Sequence, residues 1–222
     1  MIPPPLHPSE AERLAILRRC GILDTAAEPD FDGIVELASA ISGTPIALVS
    51  LVDEKRQWFK ARHGLNASET PRELAFCAYA ILDPSQPFVI PNAQLDPRFV
   101  GNPLVENPPH VTFYAGIPLT AGPDHLPIGT LCVIDQNPRT LTPEVLTQLK
   151  TLARQVEILI DARLRQQALE SALVLAESRR HEDQLLAKVA AQVTGLLITH
   201  IFPSPTFTLH YLQGMRCINH NP

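Results

Sequence analysis

No run of basic residues in this chain exceeds two, so the clustered Lys and Arg of a nucleic-acid footprint are missing. No stretch approaches the roughly 18 uninterrupted apolar residues that a membrane-spanning helix needs, so no membrane partner is expected. The opening "MIPPPLHPSEAERL" lacks a basic segment followed by an apolar one, so no secretory signal is expected. Cysteine is sparse: Cys20, Cys77, Cys132 and Cys217 stand far apart, and none forms a C-x-x-C pair. That spacing supports neither a zinc knuckle nor a thioredoxin-type motif. Four thiols without an export signal are expected to be reduced in the cytoplasm. A phosphate loop, an H-E-x-x-H helix and a G-x-S-x-G elbow are all missing. The eight histidines are scattered without metal-ligand spacing, so no metal site is expected.

What is present is enough for one well-buried domain and an appendage, or for two small domains. The chain has 222 residues, 45% of them hydrophobic, and a net charge of −5. Its 22 prolines punctuate loops and do not form a long linker. Ser9 with Glu12 three residues on reads as a capping box for a helix that stops at Gly21. Phe31, Ile34, Val35, Leu37, Ala38 and Ile41 recur at helical spacing and predict a second helix, ended by Ser42-Gly43. "PIALVSLVD" reads as a central strand, and "QWFKARHGL" as its hairpin partner, with Trp58, Lys60 and Arg62 on one side and Phe59, Ala61 and His63 on the other. "PRELAFCAYAIL" reads as one short helix opened by Pro71-Arg72-Glu73. "FVIP", "VTFYAGIPL" and "IGTLCVID" read as three more strands. From Thr142 a helical pattern runs to about Val193. Its seam passes through Leu149, Val156, Ile160, Leu164, Ala168 and Leu175 and is interrupted by Arg179 and Glu182. Such a helix overshoots its domain, and a second copy of the chain is its expected partner, giving a homodimer. Hairpin-linked strands with flanking helices predict an α+β fold on an antiparallel sheet.

The blocks "ERLAILRRCGILDT", "PIALVSLVDEKRQWFKARHGL", "ETPRELAFCAYAI", "FYAGIPL" and "IGTLCVIDQNPRTL", in that order, resemble the GAF domain family. The nearest likeness is to the GAF domains at the N-termini of bacterial signalling proteins, ahead of histidine kinase, PAS or diguanylate cyclase modules. The resemblance covers Glu10 to Arg163. It implies five to six antiparallel strands, a helical bundle on one face and a ligand-sized cavity on the other. It also implies sensing without catalysis by the domain itself. The expected organisation is an extension over 1–9, the sensor over 10–163, a coiled-coil-like helix over 164–195 and a tail over 196–222 of unknown role. Thr112 stands where the family commonly carries an arginine.

Cys77 decides between three readings. Its apolar neighbours favour a small buried hydrophobe in the core or pocket floor, more than a turn inside its helix. Tetrapyrrole-binding relatives hold their chromophore through a cysteine followed by histidine; here Ala78 follows, so no covalent tetrapyrrole and no other cofactor are expected. Relatives that reduce free methionine sulfoxide use converging cysteines, which makes Cys77 with Cys132 the enzymatic alternative. A ligand-free dimerisation module is the third reading. The pocket candidates are Trp58, Phe76, Cys77, Asp96, Phe99, Phe113 and Tyr114. One of Phe113 and Tyr114 should face the ligand side, and Asp96 reads first as the cap of a helical turn begun by Pro97. His181-Glu182 partly resembles a phospho-accepting motif, but no proline follows until Pro203, so a solvated helix face is the simpler reading.

Overall fold

The computed structural model describes residues 1–201, with side chains as far as Val193. The expected tail beyond that point lies outside the described residues. Residues Met1–Gln167 form one compact unit, and Ala168 begins a second. The elements of the first unit are α1 (Glu10–Arg19), α2 (Pro29–Ser42), β1 (Ile46–Val52), β2 (Arg56–His63), β3 (Glu69–Pro71), α3 (Phe76–Ala80), β4 (Phe88–Ile90), α4 (Pro103–Glu106), β5 (Phe113–Ala121) and β6 (Leu126–Asp135). Helix α5 (Pro143–Ile201) starts in the first unit and continues into the second. The six strands form one antiparallel sheet in the order β3-β2-β1-β6-β5-β4.

The sheet is covered on both faces. On one, α1 lies against β6 and α2 against β1 and β2. Leu17, Phe31, Val35, Val49, Phe113 and Val133 meet in that core. On the other face, α3 and the connections on either side of it cover Leu48, Phe59, Tyr114 and Cys132. Gly43 ends α2 in the left-handed region, at φ +63°, a conformation that only a residue without Cβ adopts cheaply. Thr142 caps α5 through Val145 N–H, with Pro143 at the first helical position. Asp135 accepts from Asn137 N–H at 2.8 Å and makes the turn between β6 and α5.

Four local expectations are corrected. Ser9 does not close a capping box: its ψ of 46° is far from the extended geometry of a side-chain cap, and it makes no cap hydrogen bond. Glu10 instead accepts from Arg13 and from Arg72. The strict alternation of β2 fails at Lys60. Val49 pairs with Ala61 and Ser50 with Phe59, so Lys60 is an unpaired extra residue, a β-bulge. Trp58 and Ala61 therefore share the helical core while Phe59 faces the other way. Lys60 is buried and hydrogen-bonded to Thr25, Ala26 and Glu28, and Glu28 also binds Arg163 of α5.

The helix expected over "PRELAFCAYAIL" is split. A 3₁₀ turn, Arg72–Leu74, closes with Ala75 N–H on Arg72 carbonyl, and Ala75 is extended at ψ 122°. Tertiary bonds impose the break: Arg72 is drawn to Glu10 and to the Asp53 carbonyl, and Asn102 Nδ2 takes the Leu74 carbonyl at 3.0 Å. Cys77 thus sits in the first turn of a five-residue helix rather than deep inside a longer one. Finally, Leu149, Val156 and Ile160 are buried in the helical core of their own chain, and Leu164 packs against it. They are not free for a second chain. Of the six residues expected in the seam, Ala168 and Leu175 remain exposed.

Glu10 ties α1 to the 3₁₀ turn. Its side chain holds Arg13, which is fully buried and also donates to the Val52 carbonyl at 2.6 Å, and Arg72. Burial opposes ionisation of Glu10, but the hydrogen bonds from Arg72 and Arg13 outweigh it and bring its pKa down to about 2. A depressed carboxyl stabilises the fold fully above its unfolded value. That stability is lost as pH falls from about 4.5 towards about 2. Glu10→Gln should lower the unfolding free energy at neutral pH by about 3 kcal/mol, because a buried Arg13 charge loses its partner. Urea titrations across pH 2–7 should show a flatter acid limb in the variant than in the parent.

Candidate functional site

The loop-covered face is the side where a ligand was expected, and aromatic rings fill its middle. Phe76 and Phe99 stack with centroids 3.8 Å apart and an interplanar angle of 4°. Tyr114 tilts against Phe76 at 5.2 Å, and Tyr79 meets Phe99 edge-on at 5.3 Å. Arg98 lies over the Phe88 ring at 4.9 Å and is held by Asp96. The Asp96 carboxylate also accepts from Arg98 N–H, so it caps the turn that carries Phe99. Its pKa is lowered chiefly by the Arg98 hydrogen bond.

The pocket candidates therefore divide. Phe76, Cys77, Phe99 and Tyr114 come together on the loop-covered face, but as packed core. Asp96 is a cap beside that core. Trp58 and Phe113 lie on the opposite face, among the helices. For Phe113 the cause is simple alternation with Tyr114; for Trp58 it is its place before the bulge. His181 is exposed, on the part of α5 that belongs to the second unit.

Cys77 sits at the floor of this layer. Its sulfur accepts hydroxyl hydrogen bonds from Thr130 at 3.0 Å and Tyr114 at 3.2 Å, and lies 3.9 Å from Cys132 Sγ. Burial works against the Cys77 thiolate. Cys132, Ser50, Thr130 and Tyr114 outweigh it and lower the pKa to about 7, although Ser50 Oγ makes no hydrogen bond of ordinary geometry. Cys132 is pushed up by the Cys77 contact and by burial. Each cysteine is only 1% exposed. A sulfur–sulfur separation of 3.9 Å is contact, well beyond the roughly 2.05 Å of a bond. The pair has convergent geometry without an open approach for a substrate.

The open space lies to one side. A cavity of about 400 Å³ is bounded by Leu48, Phe59 and Ile134 of the sheet, Leu65 and Ala67 of the β2–β3 loop, and Leu104 and Val111 beyond. Gln57 and Thr70 add polar groups, and no charged residue lines it. This is the size and character of a small-molecule site. None of these residues was a named pocket candidate: they come from seven separate elements and connections and carry no spacing signature. A larger hollow of about 720 Å³, at Arg18, Asp24, Asp53 and Arg56, is polar. Most of its charges are already paired: Arg56 bonds Asp24, Asp53 and Glu69, and Arg18 bonds Glu54.

The model of the GAF domain family matches residues 9–160. This chain belongs to the GAF domain family. It is 45% identical over 139 residues to a cyclic di-GMP phosphodiesterase of Pseudomonas aeruginosa, an alignment spanning 63% of this chain and 23% of the relative. The GAF chain thus matches about a quarter of that protein's length. Among solved structures it is similar to a domain of a two-component sensor histidine kinase protein from Sinorhizobium meliloti (16% identity, TM-score 0.49, covering 67% of this chain and 99% of that one). It is also similar to the GAF domain of an Acinetobacter phosphoenolpyruvate-protein phosphotransferase (18% identity, TM-score 0.49, covering 72% and 98%). No described helix is long and apolar enough to cross a membrane, and no cluster of metal-ligating side chains occurs among the described residues.

If the aromatic layer is core, removing a ring costs stability. Phe99→Ala should destabilise the domain by about 3–4 kcal/mol in chemical denaturation; a ring serving only as a ligand contact would leave it near zero. Iodoacetamide should leave Cys77 and Cys132 unlabelled in the native protein and label both once urea unfolds it, read by peptide mass.

Proposed function

We propose that this GAF domain is a regulatory, ligand-reading module without catalysis of its own. In this reading the cavity between the sheet and the β2–β3 loop holds a small molecule, and α5 carries the response to a second copy of the chain. The observation that carries it is the cavity of about 400 Å³ with an apolar, uncharged wall on the loop-covered face. A wall without a cation offers a phosphate no opposite charge, so a neutral ligand suits it better than a nucleotide. Such a ligand acts by preferring one of two loop arrangements and shifting their populations. By analogy with the cyclic di-GMP phosphodiesterase it resembles, this reading has the module beside an output domain in a longer cytoplasmic signalling protein.

The enzymatic alternative, a sulfoxide reductase built on Cys77 and Cys132, has their 3.9 Å approach in its favour. Their burial counts against it, since a substrate would have to open the aromatic layer first. A ligand-free dimerisation module is what remains if the cavity never fills.

Native mass spectrometry of the purified chain at rising collision energy tests the reading. The expected result is a discrete added mass, either carried from the cell or acquired from a panel of nucleotides and metabolites. Ala67→Trp should abolish it, because the loop residue lines the cavity and its enlargement fills the space. An apo mass throughout would favour the dimerisation module.

A further inference from the structure

Beyond Gln167 the surface of α5 carries many exposed apolar residues, with Leu169, Leu173, Val174 and Leu185 to either side of one regular line. Leu175, Leu186, Val189 and Val193 are each half or more exposed. With Ala168, Ala172, Arg179 and Glu182 they form one uninterrupted series at steps of three and four, every member exposed. Its two charged members are the puzzle, because a coiled-coil seam tolerates charge only where a partner answers it.

We propose that this seam pairs with a second copy of the chain in antiparallel orientation, in the register that sets Arg179 against the partner's Glu182. The inference rests on the dimerisation in the proposed function and adds its direction. In a parallel, in-register pair each seam residue meets its own copy. Arg179 would face the partner's Arg179, and Glu182 the partner's Glu182, two like-charge layers one after the other in the middle of the seam. Reversing one helix exchanges the two seam positions. The central layer then reads Arg179 against the partner's Glu182, and two-fold symmetry supplies the same pair again on the other side of the axis.

The same register arranges the apolar layers outward. Leu175 meets the partner's Leu186, Ala172 the partner's Val189, and Ala168 the partner's Val193. Small residues at one end of the seam face larger ones from the other, so every layer outside the centre holds an alanine with a valine or a leucine with a leucine. On the flank, Asp183 lies beside the partner's Ala176 and meets no second acid. The charges that spoil a parallel seam thus specify the antiparallel one, a use of polar seam residues known to fix orientation.

The experiment is a spin-label distance in the full chain carrying Cys217→Ser and Leu169→Cys, the native Cys20, Cys77 and Cys132 being buried. Antiparallel pairing in this register puts the two Leu169→Cys labels about 35 Å apart along the axis, from the 1.5 Å rise per residue; parallel pairing puts them under about 20 Å. Mixing Leu169→Cys chains with Gln192→Cys chains should give the short distance instead. Sedimentation of Arg179→Glu should show dimer affinity weakened by about tenfold or more. Arg179→Glu/Glu182→Arg should restore it, with circular dichroism confirming that both variants stay helical. A short Leu169→Cys distance, with affinity indifferent to Arg179→Glu, overturns the orientation and leaves the dimer standing. A monomer at every concentration overturns the dimerisation itself.

Discussion

β1 has no solvent face. All seven of its residues are buried, hydrogen-bonded on one side to β2 and on the other to β6. Ala47, Val49 and Leu51 belong to the helical core, while Ile46, Leu48 and Val52 belong to the loop-covered one. A strand set between two cores can slip by no residue without exchanging them. Everything else in the domain is arranged around that register. The bulge at Lys60 is where β2 departs from it, and the departure is affordable only because Thr25, Ala26 and Glu28 satisfy the buried ammonium.

The loop-covered face shows how one family architecture yields different sites. Rings from α3, β5 and the turn after Asp96 occupy the space over β5 and β6, so the open volume is displaced toward β1 and β2. Filling by Phe76, Phe99 and Tyr114 makes the floor rigid. The cavity is bounded on its other side by the β2–β3 loop, where residues 66–68 are exposed. A wall that is half rigid and half loop is a sensible place for binding to be felt, since the loop can be reordered without repacking the sheet.

Much of the fold was legible because local chemistry and tertiary structure agreed. The aliphatic run of β1, Gly43 after α2, Asp135 at its turn and Thr142-Pro143 before α5 each act through their own backbone. What escaped depended on partners distant in sequence. Ser9 makes no cap because its backbone is not extended, while Glu10 beside it serves Arg72, 62 residues away. The helix around Cys77 broke because Asn102 and Glu10 claim its first turn. Trp58 was assigned a face by alternation, which an unpaired Lys60 does not respect. The seam from Leu149 to Leu164 has the period of a coiled coil, but that period is equally the signature of a helix lying on its own sheet, as it does here. For the candidate site, a cavity is present on the loop-covered face where the family resemblance implies one; the residues lining it had no motif to announce them.

Glu28 is the one carboxylate that holds both the bulge of β2 and, through Arg163, helix α5. Lys60 follows Phe59, which forms part of the cavity wall. Wall, bulge and helix are therefore joined by a short chain of covalent bonds and two ion pairs at a single point. That point ties the strand that carries Phe59 to the root of α5 inside the first unit, so loss of the Glu28 carboxylate would release the bulge and the helix root together.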